Sequence, residues 1–194
     1  MVARRIDINF ASSNPDKISE VREILRNHNI GTNPMNSKVR EIQANSLEEI
    51  AADSAKTTAD SLGKTVVVED AGLFIISLRG FPGPYSSYVH NAIGCAGILQ
   101  LMERETERSA VFRSAVSYCD PKSEPEVFTG EIRGEISLAE RSGRRFGYDP
   151  IFIPEELDGR AFSELNLNEK NRISHRSRAF GKLAHWLLLK AKNP

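Results

Sequence analysis

Apolar and polar residues alternate at Ile6, Ile8 and Phe10, the two-residue period of a strand. After the small-residue turn Ala11-Ser12-Ser13 the period lengthens, and Ile18, Val21, Ile24 and Leu25 fall on one helical face. Asn14 is suited to cap this helix, Pro15 to fill its first position and Asp16 to meet its positive end; residues 27–31 end it. A second helix is predicted from Ser46, which forms a capping-box pattern with Glu49, through Leu47, Ile50, Ala51, Ala55 and Leu62 to a stop at Gly63. The run Val66-Val67-Val68 reads as a buried strand closed by Glu69-Asp70, with a sharp turn expected at Ala71-Gly72. Gly80-Phe81-Pro82-Gly83-Pro84 is a rigid, kinked loop, and Val89, Ile93, Ala96, Ile98, Leu99 and Met102 predict a further helix. Strands are predicted over 110–118, 127–134, 135–139 and 150–154, with the middle two in a meander. Phe180, Leu183, Leu187 and Leu188 mark the buried side of a closing helix that opens at Ser174. Strand and helix alternate in the first half and strands dominate the second, which predicts an α/β fold with a mixed sheet.

Composition narrows the classes. A chain of 194 residues suits a single domain over 1–194, or two lobes around one core. It is 40% hydrophobic and 27% charged, ordinary for a globular protein, with no repeat, low-complexity segment or obvious linker. The formal net charge is zero, so a broad basic face for duplex nucleic acid is not expected. No apolar run is long enough to span a bilayer, and the first residues do not form a signal-peptide core, so no membrane partner is expected. Cys95 and Cys119 make neither a disulfide framework nor a CxxC pair; they read as small buried hydrophobes in a reducing, cytoplasmic setting.

Four segments carry candidate chemistry. Glu69-Asp70, delivered to a sheet edge, can hold a hard divalent cation such as Mg²⁺ or supply a base for water. Glu41 becomes a third carboxylate if it lies near them. Ser12-Ser13-Asn14-Pro15-Asp16-Lys17 joins a strand to a helix, where backbone N–H groups and Lys17 can meet phosphate oxygens; it lacks the glycines and Lys-Ser/Thr pair of a P-loop, and a plain capping turn has the same pattern. Arg144-Arg145-Phe146-Gly147-Tyr148-Asp149-Pro150 places two aromatics about a glycine, which suits a planar base or, equally, a turn packed into the core. Lys170-Asn171-Arg172-Ile173-Ser174-His175-Arg176-Ser177-Arg178 is dense in donors at a helix start, which invites an anion or, equally, reads as a basic solvated helix start. His28, His90 and His185 have no metal-ligand partners nearby in sequence. Two anion sites, a carboxylate cluster and a planar-ring site together describe a nucleotide with Mg²⁺; no Ser-His-Asp, Cys-His or Gly-rich dinucleotide signature competes.

These residues resemble the Ham1 family of inosine/xanthosine triphosphate pyrophosphatases almost end to end. The family's Thr-Gly-Asn-x-x-Lys is matched by Ser12 to Lys17, its acidic strand by Glu69-Asp70-Ala71-Gly72-Leu73, its Pro-Gly-x-Tyr-Ser by Pro82-Gly83-Pro84-Tyr85-Ser86, its Phe-Gly-Tyr-Asp-Pro by residues 146–150, and its Lys and Ser-His-Arg by Lys170 and Ser174-His175-Arg176. The resemblance implies an elongated mixed β-sheet flanked by helices, two lobes with a central cleft, and a homodimer. It implies hydrolysis of ITP, dITP and XTP to the monophosphate and pyrophosphate with Mg²⁺. Asp70 would be proton acceptor and metal ligand, with Glu41 the other ligand and Glu69 either a third ligand or a support. Ser12, Ser13, Asn14, Pro15, Asp16 and Lys17 would grip the phosphates, with Lys17 stabilising the leaving group. Ala71, Phe146, Gly147, Tyr148, Asp149, Lys170, His175 and Arg176 would complete the nucleotide site. Ser12-Ser13 stands for the family's Thr-Gly, and Ser54 for a phosphate-binding lysine of the second helix, with Lys56 two positions on. The arginine that often follows Pro-Gly-x-Tyr-Ser is replaced, with Ser87 and Tyr88 in its place. The alternatives are a catalytically weak nucleotide sensor and a Maf-type pyrophosphatase.

Overall fold

The alternation at Ile6, Ile8 and Phe10 forms strand β1 (Ile6–Ala11) in a computed structural model that describes residues 6–35, 41–144 and 146–192. Arg145, inside the 144–150 segment, and Arg40, next to Glu41, lie outside the described residues. Helix α1 (Pro15–Arg26) and strand β2 (Ile30–Met35) follow, then α2 (Leu47–Leu62), β3 (Val66–Ile75), β4 (Pro82–Gly83) and α3 (Ser86–Leu101). The chain continues through β5 (Ser109–Cys119), β6 (Glu126–Ile136), β7 (Phe152–Pro154), α4 (Leu167–Ile173) and α5 (His175–Lys192). The sheet has seven strands in the order β2-β1-β3-β5-β6-β7, with β4 paired to β3. No helix among the described residues is long and apolar enough to cross a membrane.

The chain divides into two compact units. The first takes the described residues up to Asp70, Ser114–Gly130 and those from Arg176 onward. In it β1 pairs parallel with β2 and with β3. Ile8, Phe10, Val67 and Val116 pack against Val21, Ile24 and Leu25 of α1 and Phe180, Leu183 and Leu187 of α5. Ala11, Val66, Val68 and Cys119 pack with Ala55 and Ala59 of α2. These strands are covered on both faces, which is why valines run uninterrupted from 66 to 68.

The second unit takes Ala71–Arg113 and Glu131–His175. Its core gathers Leu73, Ile75, Val89, Ile98, Met102, Phe112, Ile132, Phe152 and Phe162. Phe112 meets Phe152 edge-on, with ring centroids 4.6 Å apart. Helix α3 changes direction at Gly94, whose φ of +64° is open to glycine at little steric cost.

Several expectations are corrected. The stretch 27–31, expected only to end α1, runs at Ile30 into strand β2; Gly31, Asn33 and Pro34 give little strand propensity, and the strand forms through a full parallel register with β1, Ile6 on Ile30 through Ala11 on Met35. The strand carrying Glu69-Asp70 does not close there: β3 runs on to Ile75, and no turn occurs at Ala71-Gly72. Gly72 is a glycine for proximity, since a Cβ there would sit 2.3 Å from the Gly83 carbonyl oxygen of β4. Residues 127–134 and 135–139 are not two strands; β6 is continuous to Ile136 and pairs antiparallel with β7. Residues 149–151 form a 3-10 turn before β7. Helix α4, capped by Asn166 and Glu169, was not anticipated, being too short to show a helical apolar period.

Phe180 is fully buried and meets the edge of Phe10 at 5.7 Å. Phe180→Ala removes this ring contact of α5 with β1 and is expected to cost about 3–5 kcal/mol, read from urea unfolding.

Candidate active site

Successive side chains on a strand point to opposite faces, and this separates Glu69 from Asp70. Glu69 shares the face of Val67, against α1 and α5, and is buried; Asp70 shares the face of Val66 and Val68, against α2, and is partly exposed. The two carboxylates are therefore not the side-by-side pair that a strand end would have made.

Glu69 collects donors from three elements of the first unit. Lys17 Nζ lies 2.9 Å from Oε2 and donates to the Glu69 carbonyl oxygen at 3.2 Å. Arg176 Nε donates to Oε1 at 3.1 Å, and Ser114 Oγ to Oε1 at 2.9 Å. Arg176 Nη1 also bonds Glu20 of α1. Glu20, Glu69 and Arg176 are buried, while the Lys17 side chain keeps 21% of its surface in solvent. Each of the two buried carboxylates thus has a cation against it, the condition under which buried charges are tolerated.

The turn before α1 is shaped by its own polar groups. Asn14 Oδ1 accepts from the N–H groups of Asp16 (2.9 Å) and Lys17 (3.2 Å), and Asn14 N–H donates to Ser12 Oγ (3.2 Å). Pro15 occupies the first helical position, and Ser13 and Pro15 are exposed. Glu41 is exposed in the segment leading to α2. Ser54 is buried on α2, while Lys56 is held on the surface by Glu124 at 2.5 Å, a hydrogen bond that raises the lysine pKa. Among the described residues no three His, Cys, Asp or Glu side chains gather into a cluster able to hold a metal ion.

In the second unit, Gly147 has φ +53° and lets Phe146-Gly147-Tyr148-Asp149 turn back, with Asp149 N–H donating to the Phe146 carbonyl oxygen. Lys170 Nζ pairs with Asp149 Oδ2 at 2.6 Å, both buried, and lies 4.9 Å from the Phe146 ring centroid. Tyr148 is a core residue: its hydroxyl donates to the Ser86 carbonyl oxygen at 3.1 Å, and burial raises its pKa. Phe146 remains partly exposed, and so does Ala71 on β3. His175 is buried with its ring stacked on Phe112, centroids 4.7 Å apart and planes 10° apart.

The Ham1 family model matches residues 8–186. This chain belongs to the Ham1 family. Among its relatives are the dITP/XTP pyrophosphatase of Methanopyrus kandleri, 50% identical over 91% of this chain and 94% of that protein, and that of Methanothermobacter marburgensis, 49% identical over 92% and 95%. Among solved structures, the HAM1 protein from Coxiella burnetii has a TM-score of 0.82 at 31% identity, covering 94% of this chain and 98% of that one. The Staphylococcus aureus Ham1 protein has a TM-score of 0.81 at 29% identity, covering 95% and 99%.

In this Ham1 chain the structure adds residues that motif reading passed over. Glu20 and Ser114 join the group around Glu69 and Arg176. Both carry a signal in retrospect: Glu20 interrupts the apolar side of α1 next to Val21, and Ser114 takes an inward turn in the alternation Ala110, Phe112, Ser114, Val116. Removing one member of a buried charge group strands its partner, so Glu20→Ala is expected to cost about 3–5 kcal/mol in urea unfolding. Lys56→Ala, which breaks an exposed pair, is expected to leave the unfolding midpoint where it is.

Proposed function

We propose that this chain hydrolyses non-canonical purine nucleoside triphosphates, dITP, XTP and ITP, to the monophosphate and pyrophosphate, clearing them from the cytoplasmic nucleotide pool. The observation that carries this is near-complete, roughly half-identical coverage by proteins named dITP/XTP pyrophosphatase. The unaltered Phe146-Gly147-Tyr148-Asp149-Pro150 segment supports the purine reading over a Maf-type one.

Asp70 is the general base in this reading. It lies on the face of β3 opposite Glu69 and is partly exposed, where a water can reach it. Water adds to the α-phosphorus, its proton passes to Asp70, and the bond from the α-phosphorus to the bridging oxygen breaks as pyrophosphate leaves. Lys17, paired with Glu69 yet still partly exposed, stabilises the negative charge that grows on the leaving group. Ser12 and Ser13 contact phosphate, and Asn14, Pro15 and Asp16 hold the turn that presents them.

The acidic oxygen donors suit a divalent cation. Mg²⁺ is characteristically bound by one or two carboxylates and completed by substrate phosphates. Glu41, in the segment entering α2, and Asp70, on the α2 face of β3, would hold it. Glu69 then serves to hold Lys17 and Arg176. When bound, the metal supplies positive charge to the phosphate oxygens.

Ring recognition draws on Phe146 as an apolar face, with Gly147 and Asp149 in the same loop, Lys170 fixed by Asp149, and Ala71 of β3 assigned to the ring by the family motif. Donors from His175 and Arg176 that meet a purine 6-carbonyl are left mismatched by the adenine amino group. Guanine shares that carbonyl, so this contact separates ITP from ATP and not from GTP. The apolar side chains exposed in the second unit, Tyr88 and Ile93 of α3 among them, support a homodimer.

The buried Ser54, in place of a lysine, favours the second reading, a weakly catalytic nucleotide sensor. Pyrophosphate release from ITP, XTP, GTP and ATP, with Mg²⁺ and then EDTA, decides between them. Metal-dependent turnover of ITP and XTP is expected; tight ITP binding without turnover would establish the sensor. Asp70→Asn is expected to keep ITP binding and lower kcat at least about 100-fold. Arg176→Lys keeps the charge facing Glu20 and Glu69 but loses the planar fork; the ITP/ATP ratio of kcat/KM is expected to narrow about tenfold.

A further inference from the structure

The segment Pro82-Gly83-Pro84-Tyr85-Ser86 has no task in the chemistry above, yet Ser86 is buried where three parts of the second unit meet. Strand β4 has only two residues, and Gly83 stands opposite Leu73 of β3. The Ser86 hydroxyl mediates between these two partners: it accepts from Leu73 N–H at 2.8 Å and donates to the Gly83 carbonyl oxygen at 2.7 Å. Its own carbonyl oxygen accepts the Tyr148 hydroxyl at 3.1 Å. One residue thus ties the strand two positions beyond Ala71, the turn of β4, and the centre of Phe146-Gly147-Tyr148-Asp149. Helix α3 holds that loop at a second point, where Cys95 Sγ donates to the Gly147 carbonyl oxygen at 3.4 Å.

We propose that Ser86 is a positioning residue for purine-ring recognition: it fixes Ala71 and the Phe146-Gly147-Tyr148-Asp149 loop relative to each other within the second unit. The inference rests on the assignment of that loop to the ring. A hydroxyl is needed because the site demands a donor and an acceptor on one small atom, facing Gly83 and Leu73 respectively; alanine leaves both backbone groups buried without this partner. The effect belongs to binding rather than to water attack, because the ties of Ser86 lead to the ring loop and not to Lys17 or Asp70.

The test is equilibrium binding and steady-state hydrolysis of ITP by Ser86→Ala, Ser86→Thr and Tyr148→Phe, with amide hydrogen exchange followed at Leu73 and residues 146–149. Ser86→Ala is expected to raise Kd and KM for ITP about fivefold to tenfold, the scale of one lost hydrogen bond, with kcat within twofold of wild type. Exchange should rise at both segments together. Ser86→Thr, which keeps the hydroxyl, should restore Kd and exchange, and Tyr148→Phe should raise Kd and speed exchange in the loop alone. A folded Ser86→Ala with unchanged Kd, or with loosened Leu73 and an unmoved loop, overturns the proposal. So does a loss of kcat equal to the loss of kcat/KM. The wild-type arm separates the two ideas: a wild type that binds ITP without turnover sinks the hydrolase reading, while the variant-to-wild-type Kd ratio and the exchange pattern still decide the role of Ser86.

Discussion

A carboxylate cannot stay ionised in a dry interior without cations brought to it, and Glu69 meets that condition in the middle of a strand. Lys17 comes from the first turn of α1, Arg176 from the first turn of α5, and Ser114 from β5. Arg176 in turn needs Glu20. The packing of both helices against β1 and β3 is thereby registered by charge as well as by Phe10, Val67 and Phe180. The apolar contacts fill the space between helices and sheet, and the charge group ties the first turn of α1 and of α5 to β3.

The same constraint divides labour between neighbours in sequence. Glu69 is committed to the α1 and α5 side, and the pleat sends Asp70 to the other. Lys17 is held by a buried acid while part of its surface stays in solvent.

The second unit solves a related problem with aromatic surface. Phe112, Phe152, Phe162 and the ring of His175 pack into one group, His175 and Phe162 stacked on Phe112 and Phe152 edge-on to it, and Lys170 is buried against Asp149 with two phenyl faces nearby. A histidine and a lysine that read as surface donors in a basic segment are thus built into the core. Tyr148 is likewise consumed by packing, which leaves Phe146 as the partly exposed ring of its motif.

The sequence by itself determined the elements whose signal is local. β1, α1 with its Asn14 cap, α2 with its Ser46 and Gly63 ends, α3 and α5 follow from periodicity and capping chemistry, and the five ordered motifs point to the Ham1 family through residue identity alone. Tertiary structure decided what depends on residues distant in the chain. β2 exists because β1 offers it a partner, β3 continues past Asp70 because β4 approaches Gly72, and β6 does not break at Gly134 because β7 lies alongside. Glu20, Ser114 and Ser86 gain their roles only from partners up to 156 residues away, a separation that no local pattern encodes. Charge type and spacing can mark a polar residue on an apolar face; only the folded chain says which opposite charge answers it.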